Sequence, residues 1–410
     1  MCPTEPLVLQ RRQQRQKQQT GLRHTDSNDS TDTLISTDTS DDDKSTDNKA
    51  TVKDVVAGEL EPLVTQVLQS APPPWHSVTL IACIALYFVH RLPSWEQLDE
   101  VATIATFCHY EPWIGSVWAL GLCRLIVAIS IWGTTWHVVS GPGWTVFTKF
   151  KPASKLKRNT AITLKGVKTL FPFTSWSWNL LGFSYLLNGV IALSVAIFGK
   201  EGAWWLHDLI PNNGLLRLAL IVWETAAPCA ILVSTVIRYA IWEMVLHSKD
   251  GNTDGLKSFR NMMMHNANSV YVLLEVALLG GLPVRFEEIS LAPLFGVCYV
   301  LFTWFMTHRW TDPEHGPQFI YYFMDTTMGK VTSISLLALL CALLVFYFLF
   351  ATAHIGLDRL SNYSNKYVAV GISEQQENNA DATVPSSPVL LVGHVCFVTA
   401  IASLVCRFRD

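Results

Sequence analysis

Two residues in this chain carry the minimum apparatus of nucleophilic chemistry. Thr174 stands in Leu-Phe-Pro-Phe-Thr-Ser-Trp (170–176) at the start of an apolar run, and His265 stands in Met-Met-Met-His-Asn-Ala-Asn-Ser-Val (262–270) at the start of another. A threonine hydroxyl is inert at its own pKa and needs a base near neutrality to take its proton, which an imidazole supplies. Asn268, one turn beyond His265, and Asn179 are amide donors suited to an oxyanion, and His308 at the end of a third apolar run joins the same layer. The same residue types have plainer uses. A threonine at a helix start is often an N-cap, and a histidine at a membrane boundary is often a polar tip.

Three ionisable residues lie inside apolar runs: Arg124, Glu224 and Glu275. Charge in hydrocarbon is costly and usually faces a bundle interior, so each is a candidate functional group. Pairing the arginine with one or both glutamates is the cheapest way to bury them. Such a pair either holds a bundle together or lies on a pathway.

The elements that must position these residues follow from composition. The 410 residues are 50% hydrophobic and 15% charged, with net charge −3 and mean hydropathy +0.27. Residues 1–70 are only about 26% hydrophobic and 29% charged, whereas the remainder is about 55% hydrophobic and 13% charged, too apolar for a water-solvated surface. The chain therefore divides into a polar N-terminal tail, 1–70, and a transmembrane helical domain, 71–410. The Ser/Thr/Asp/Asn-rich tail reads as disordered, with a short amphipathic helix expected over Val55 to Leu68 before the proline run 72–74. The beginning of the tail carries no signal-peptide pattern.

Seven stretches have the length of membrane spans: Trp113 to Trp136, Phe171 to Phe198, Leu215 to Trp242, Met264 to Leu282, Leu291 to Thr307, Val331 to Ile355 and Pro388 to Phe408. An eighth, Val78 to Val89, is short for a span and reads as a tilted span or an interfacial helix. The expected fold is an all-α polytopic bundle of 7–8 spans. The loop 139–170 holds Lys149, Lys151, Lys155, Lys157, Arg158, Lys165 and Lys168 and no acidic residue, which predicts a cytoplasmic position. Threading from there puts Thr174, His265 and His308 at the cytoplasmic boundary. The membrane itself, endoplasmic reticulum or plasma membrane, stays open.

Several classes are excluded. The net charge gives no sign of a nucleic-acid partner. The nine cysteines are scattered without a CxxC pair, the twelve histidines form no iron-type cluster, and no glycine-rich phosphate loop is present, so neither metal nor cofactor is expected. A haem-bearing bundle needs paired histidines on facing spans, and the single candidate pair, His354 with His394, is poor evidence for one.

Phe-Thr-Ser-Trp-Ser-Trp-Asn (173–179), Tyr239 with Trp242, His265-Asn-Ala-Asn-Ser-Val-Tyr-Val-Leu-Leu-Glu275, Pro283-Val-Arg285, Tyr299-Val-Leu-Phe and Ile320-Tyr-Tyr-Phe-Met-Asp325 occur in one order. In these motifs, over about 110–355, the chain resembles the rolling-stone-like membrane proteins, a group similar in turn to the androgen-induced family. The resemblance implies a multi-pass membrane hydrolase that cleaves fatty acid esters of hydroxy fatty acids, with the threonine at Thr174 and the histidine at His265. The chain departs from those hydrolases at two positions. Ser177 stands where they carry an aspartate three residues after the threonine, and Met262 where they carry a second histidine.

Two other readings compete with a hydrolase acting on an amphipathic lipid among membrane lipids. One is a non-catalytic scaffold or receptor-like protein, in which Thr174 caps its helix and His265 bonds across the bundle. The other is a small-solute transporter built on Arg124, Glu224 and Glu275. The orientation has its own test: a glycosylation acceptor inserted beside Ser154 stays unmodified in a secretory-pathway host, and modification there reverses the topology.

Overall fold

The computed structural model describes residues 72–147, 154–156, 161–203, 213–247, 253–310, 317–373 and 388–408. The tail with its expected amphipathic helix lies outside these residues, as do Lys149, Lys151, Lys157 and Arg158 of the basic loop. The fold is mostly helical, with one two-stranded antiparallel hairpin.

Helix α1 (Trp75–His90) turns at Pro93 into a segment holding α2 (Trp95–Asp99) and α3 (Ile104–Cys108). α4 (Val117–Ser140) follows, capped by the Ser116 hydroxyl on Ala119 N–H at 3.1 Å. Strands β1 (Trp144–Phe147) and β2 (Ala161–Leu164) pair with Trp144 opposite Leu164. α5 (Phe173–Gly202) is paired along its length with α4. Gly182 and Gly189, seven residues apart on one face of α5, set that approach, because a methyl at either would come within 2.6 Å of Ile131 Cγ2 or 2.8 Å of Leu125 Cδ2. α6 (Gly214–Val236) is the most enclosed helix, and runs through a π-turn at Ile237–Ile241 into α7 (Trp242–Leu246). After the short α8 (Asp254–Lys257) and α9 (Phe259–Asn261) comes a helix interrupted twice, with a π-turn at Met262–Ala267, α10 (Asn268–Leu274) and a second π-turn at Glu275–Leu279. α11 (Leu291–Met306), α12 (Lys330–Ser373) and α13 (Pro388–Val405) complete the chain.

By length and composition five helices can cross a membrane: Val117–Ser140, Phe173–Gly199, Gly214–Leu246, Phe286–Met306 and Lys330–Leu357. A sixth is counted when α1 and Trp95–Ile114, bent by 66°, are taken as one broken span. This is fewer than the seven to eight read from hydropathy. The expected span Met264 to Leu282 is divided by its π-turns and unwinds at Gly280, and the apolar part of the last helix is only Leu390–Val405. Hydropathy sees apolar length and is blind to a break in the hydrogen-bond ladder.

Irregular backbone at this depth has to be satisfied by protein. The carbonyls of Leu278, Leu279, Gly280, Gly281 and Pro283 accept, in turn, from Trp113 Nε1 (2.8 Å), Glu111 N (2.9 Å), His109 Nδ1 (3.0 Å), His354 Nε2 (3.3 Å) and Trp223 Nε1 (2.9 Å). The end of α13 is treated alike. Arg238, within its π-turn, donates to the carbonyls of Ser403 and Cys406, Tyr239 donates to Leu404 O at 2.7 Å, and the Asn266 amide donates to Arg407 O at 2.7 Å.

The basic loop is tied down by a buried carboxylate. Asp325 accepts from Thr327 N at 2.8 Å, from Thr327 Oγ1 at 2.6 Å and from the Ser154 hydroxyl, while Lys155 N donates to Thr327 Oγ1 at 3.1 Å and Leu156 enters the core. Removing the acceptor leaves two hydroxyls unpaired at about 1–3 kcal/mol per buried group. Asp325→Ala therefore speeds tryptic cleavage at Lys155 in folded protein, and an unchanged digestion rate shows that the loop is anchored elsewhere.

Candidate functional site

Two polar regions are present, one inside the bundle and one near the starts of α5 and α10. In the first, Arg124 (0% exposed) and Glu275 (1% exposed) face each other. The guanidinium reaches Glu275 through Nη2 to Oε1 at 2.5 Å and Nε to Oε2 at 3.1 Å, a fork-on-carboxylate geometry. Its Nη1 donates to Phe107 O at 2.5 Å. Glu275 is the first residue of the second π-turn, and Gly280 closes the site from below. A methyl on Gly280 would overlap Arg124 Nη2 and come within 2.9 Å of both Glu275 Oε1 and the His109 carbonyl. Glycine is required here by the ion pair and not by the backbone angles.

Glu224 does not share this pair. Its carboxylate accepts from the Tyr347 hydroxyl at 2.9 Å and the Arg285 N–H at 3.1 Å, and the Arg285 side chain itself turns to Glu287 at 3.3 Å and Glu288 at 3.4 Å. The three intramembrane charges thus form two separate constellations. A common midplane site of Arg124, Glu224 and Glu275, as a transporter reading requires, is not assembled. His354 and His394 do not pair either: His354 bonds the Gly281 carbonyl and His394 packs edge-on to Trp113 at 5.2 Å.

The second region is organised by α5 and the interrupted helix. Thr174, Trp178, Leu181 and Tyr185 lie on one stripe of α5. Trp178 stacks on Tyr271 with ring centroids 6.0 Å apart, and the Tyr185 hydroxyl donates to Tyr271 O at 2.6 Å. One turn closer to the helix starts, Asn268 Nδ2 lies 3.5 Å from Ser177 Oγ. Thr174 and His265 each stand three residues before a member of that contact.

Thr174 is half-buried and does not cap its helix. The N-cap is Pro172, which makes no side-chain cap bond, and Thr174 is the second helical residue. The phenol of Tyr321 stands beside its hydroxyl. Burial pushes the Tyr321 ionisation above the ordinary phenol range, while the Thr174 hydroxyl and the first backbone N–H groups of α5 pull it back.

His265 lies within the first π-turn, where its carbonyl accepts from the Ser234 hydroxyl, itself 2.6 Å from Ser269 Oγ. The imidazole Nδ1 is buried without a hydrogen-bond partner, as is Asn268 Oδ1. The expected cross-bundle bond from the His265 side chain is therefore not made through Nδ1. Two other sequence-derived members fall away. Asn179 donates to Ser175 O at 2.8 Å and accepts from Thr135 Oγ1 at 3.0 Å, so its amide links α4 to α5. His308 is exposed, two residues beyond the end of α11. Sequence reasoning missed Tyr321 and the π-turns. The π-turns have no propensity signature, and Tyr321 becomes relevant only when the chain returns.

Among the described residues, no group of three or more His, Cys, Asp or Glu side chains is arranged to hold a metal ion.

Breaking the Arg124–Glu275 pair strands a buried charge, at roughly 3–5 kcal/mol. Glu275→Gln and Gly280→Ala both lower the thermal midpoint of the detergent-purified protein, and an unchanged midpoint in either removes the pair from the bundle's stability. No family model matches the chain, and neither a curated protein nor a solved structure does so.

Proposed function

We propose that this chain is a membrane-embedded lipid-ester hydrolase of the type that cleaves fatty acid esters of hydroxy fatty acids, with Thr174 as nucleophile and His265 as base. The observation that supports the reading is the Ser177–Asn268 contact, since Thr174 and His265 each stand three residues before one member of it. The unpartnered Nδ1 adds support, because a purely structural histidine buried at this site would have its ring nitrogen bonded. The proposed chemistry is acyl transfer. His265 takes the Thr174 proton as the hydroxyl oxygen attacks the ester carbonyl, then returns it to the departing alcohol, leaving an acyl-threonine that water cleaves by the reverse proton path.

Counting the interrupted helix Met262–Leu279 and the last helix as crossings, beside the five long spans, gives seven, or eight with the bent first pair. In that arrangement the loop 139–170 is cytoplasmic and the Thr174 layer lies at the inner headgroup boundary. That is the depth at which an amphipathic ester presents its scissile bond.

A non-catalytic scaffold is the second reading, favoured by the contact between Thr174 and Tyr321. The two are separated by reactivity. A fluorophosphonate probe labels purified wild-type protein at Thr174, and Thr174→Ala or His265→Ala lowers labelling by about 10²-fold or more, the scale of a lost nucleophile or base. Wild-type protein that takes no label and turns over no lipid ester is a scaffold.

A further inference from the structure

Among the polar atoms left over by the bundle, two belong to residues three apart on one helix. Asn268 is 0% exposed, its side-chain nitrogen faces Ser177 Oγ at 3.5 Å, and its Oδ1 has no partner. His265, three residues earlier on the same helix, has its Nδ1 buried and equally unpartnered. Residues three apart on a helix are neighbours, and the π-turn at Met262–Ala267 changes how the His265 ring is presented relative to Asn268.

We propose that Asn268 is a positioning residue for His265: its side-chain oxygen accepts the Nδ1 proton through one bridging water, and leaves Nε2 free to face Thr174. This rests on the hydrolase reading and deepens it. An imidazole acts as a defined base only when its other nitrogen is occupied, because that partner selects the tautomer and fixes the ring. An amide oxygen serves this purpose in Cys-His-Asn catalytic groups on unrelated folds. The arrangement also gives Ser177 a purpose. In the resembling hydrolases that position is an aspartate, whereas here a serine holds the amide nitrogen of Asn268 and turns its oxygen away. Asn268 is thereby removed from the oxyanion role expected from sequence, since the donor that role needs faces Ser177.

Ser177 of α5 meets Asn268, and Ser234 of α6 donates to the His265 carbonyl. Arg260 is the cation acting on it from its own segment, with its guanidinium 3.8 Å over the Trp144 ring. Arg407 and Glu243, paired with each other at the end of α13, adjoin the neighbouring Asn266. A carboxylate placed at 268 would therefore be a new charge on the imidazole.

The test is the rate of fluorophosphonate labelling against pH for full-length protein in detergent. Asn268→Ala lowers the rate roughly 10- to 100-fold, part of the contribution a general base makes. Asn268→Asp, close in shape, moves the acid limb of the profile to higher pH by about one unit or more, because an adjacent carboxylate favours the imidazolium. If folded Asn268→Ala labels at the wild-type rate, or if Asn268→Asp leaves the acid limb in place, the assignment of Asn268 is overturned while the hydrolase reading stands. Should Asn268→Ala fail to fold, the limb position in Asn268→Asp decides alone. An unlabelled wild-type protein overturns the hydrolase reading itself, and this assignment with it.

Discussion

The bundle depends on one buried ion pair. Arg124 and Glu275 are excluded from solvent, and neither is tolerable in an apolar interior without the other. Their meeting fixes where α4 must stand against the interrupted helix, and it dictates the glycine at 280, since any side chain there would occupy the space of the guanidinium. It also ties the loop before α4 into the core, because the same arginine holds the Phe107 carbonyl. Replacing the pair by apolar residues would remove the electrostatic cost and would also remove the register it imposes.

Around that pair the backbone is irregular, and the irregularities carry the chemistry. Glu275 and His265 both lie in π-turns, and so does Arg238, which caps the last helix. A π-turn displaces one side chain from the regular helical sweep and frees a carbonyl, and here the carbonyls after the second π-turn and at the end of α13 meet donors from other elements. Trp113, Trp223, His109 and His354 act as such donors. Their place in the molecule is to satisfy the carbonyls of the segment from Leu278 to Pro283.

In the layer of Thr174, as at Asn188, Ser290 and His394 elsewhere, some buried polar atoms are left without partners, and the threonine caps nothing. Unsatisfied buried polar groups are costly, and chemistry is one physical reason to keep them.

The sequence by itself determined that the body is a helical membrane domain, because its shortage of charge and the length of its apolar runs admit little else. It also singled out Arg124, Glu224 and Glu275 as costly, since a charge among apolar neighbours is conspicuous in one dimension. It could not decide which glutamate the arginine takes, because that depends on which helices touch, and α4 meets the interrupted helix while Glu224 turns to Tyr347 and Arg285. Nor could it foresee that the run from Met264 to Leu282 is broken, since hydropathy is indifferent to a shift from i→i−4 to i→i−5 bonding. Thr174 and His265 were legible as residue types at matched depth. That Asn179 is consumed by Thr135, that His308 is exposed, and that Asn268 meets Ser177 were decided only by packing, because a side chain's availability depends on the partners the other helices bring to it.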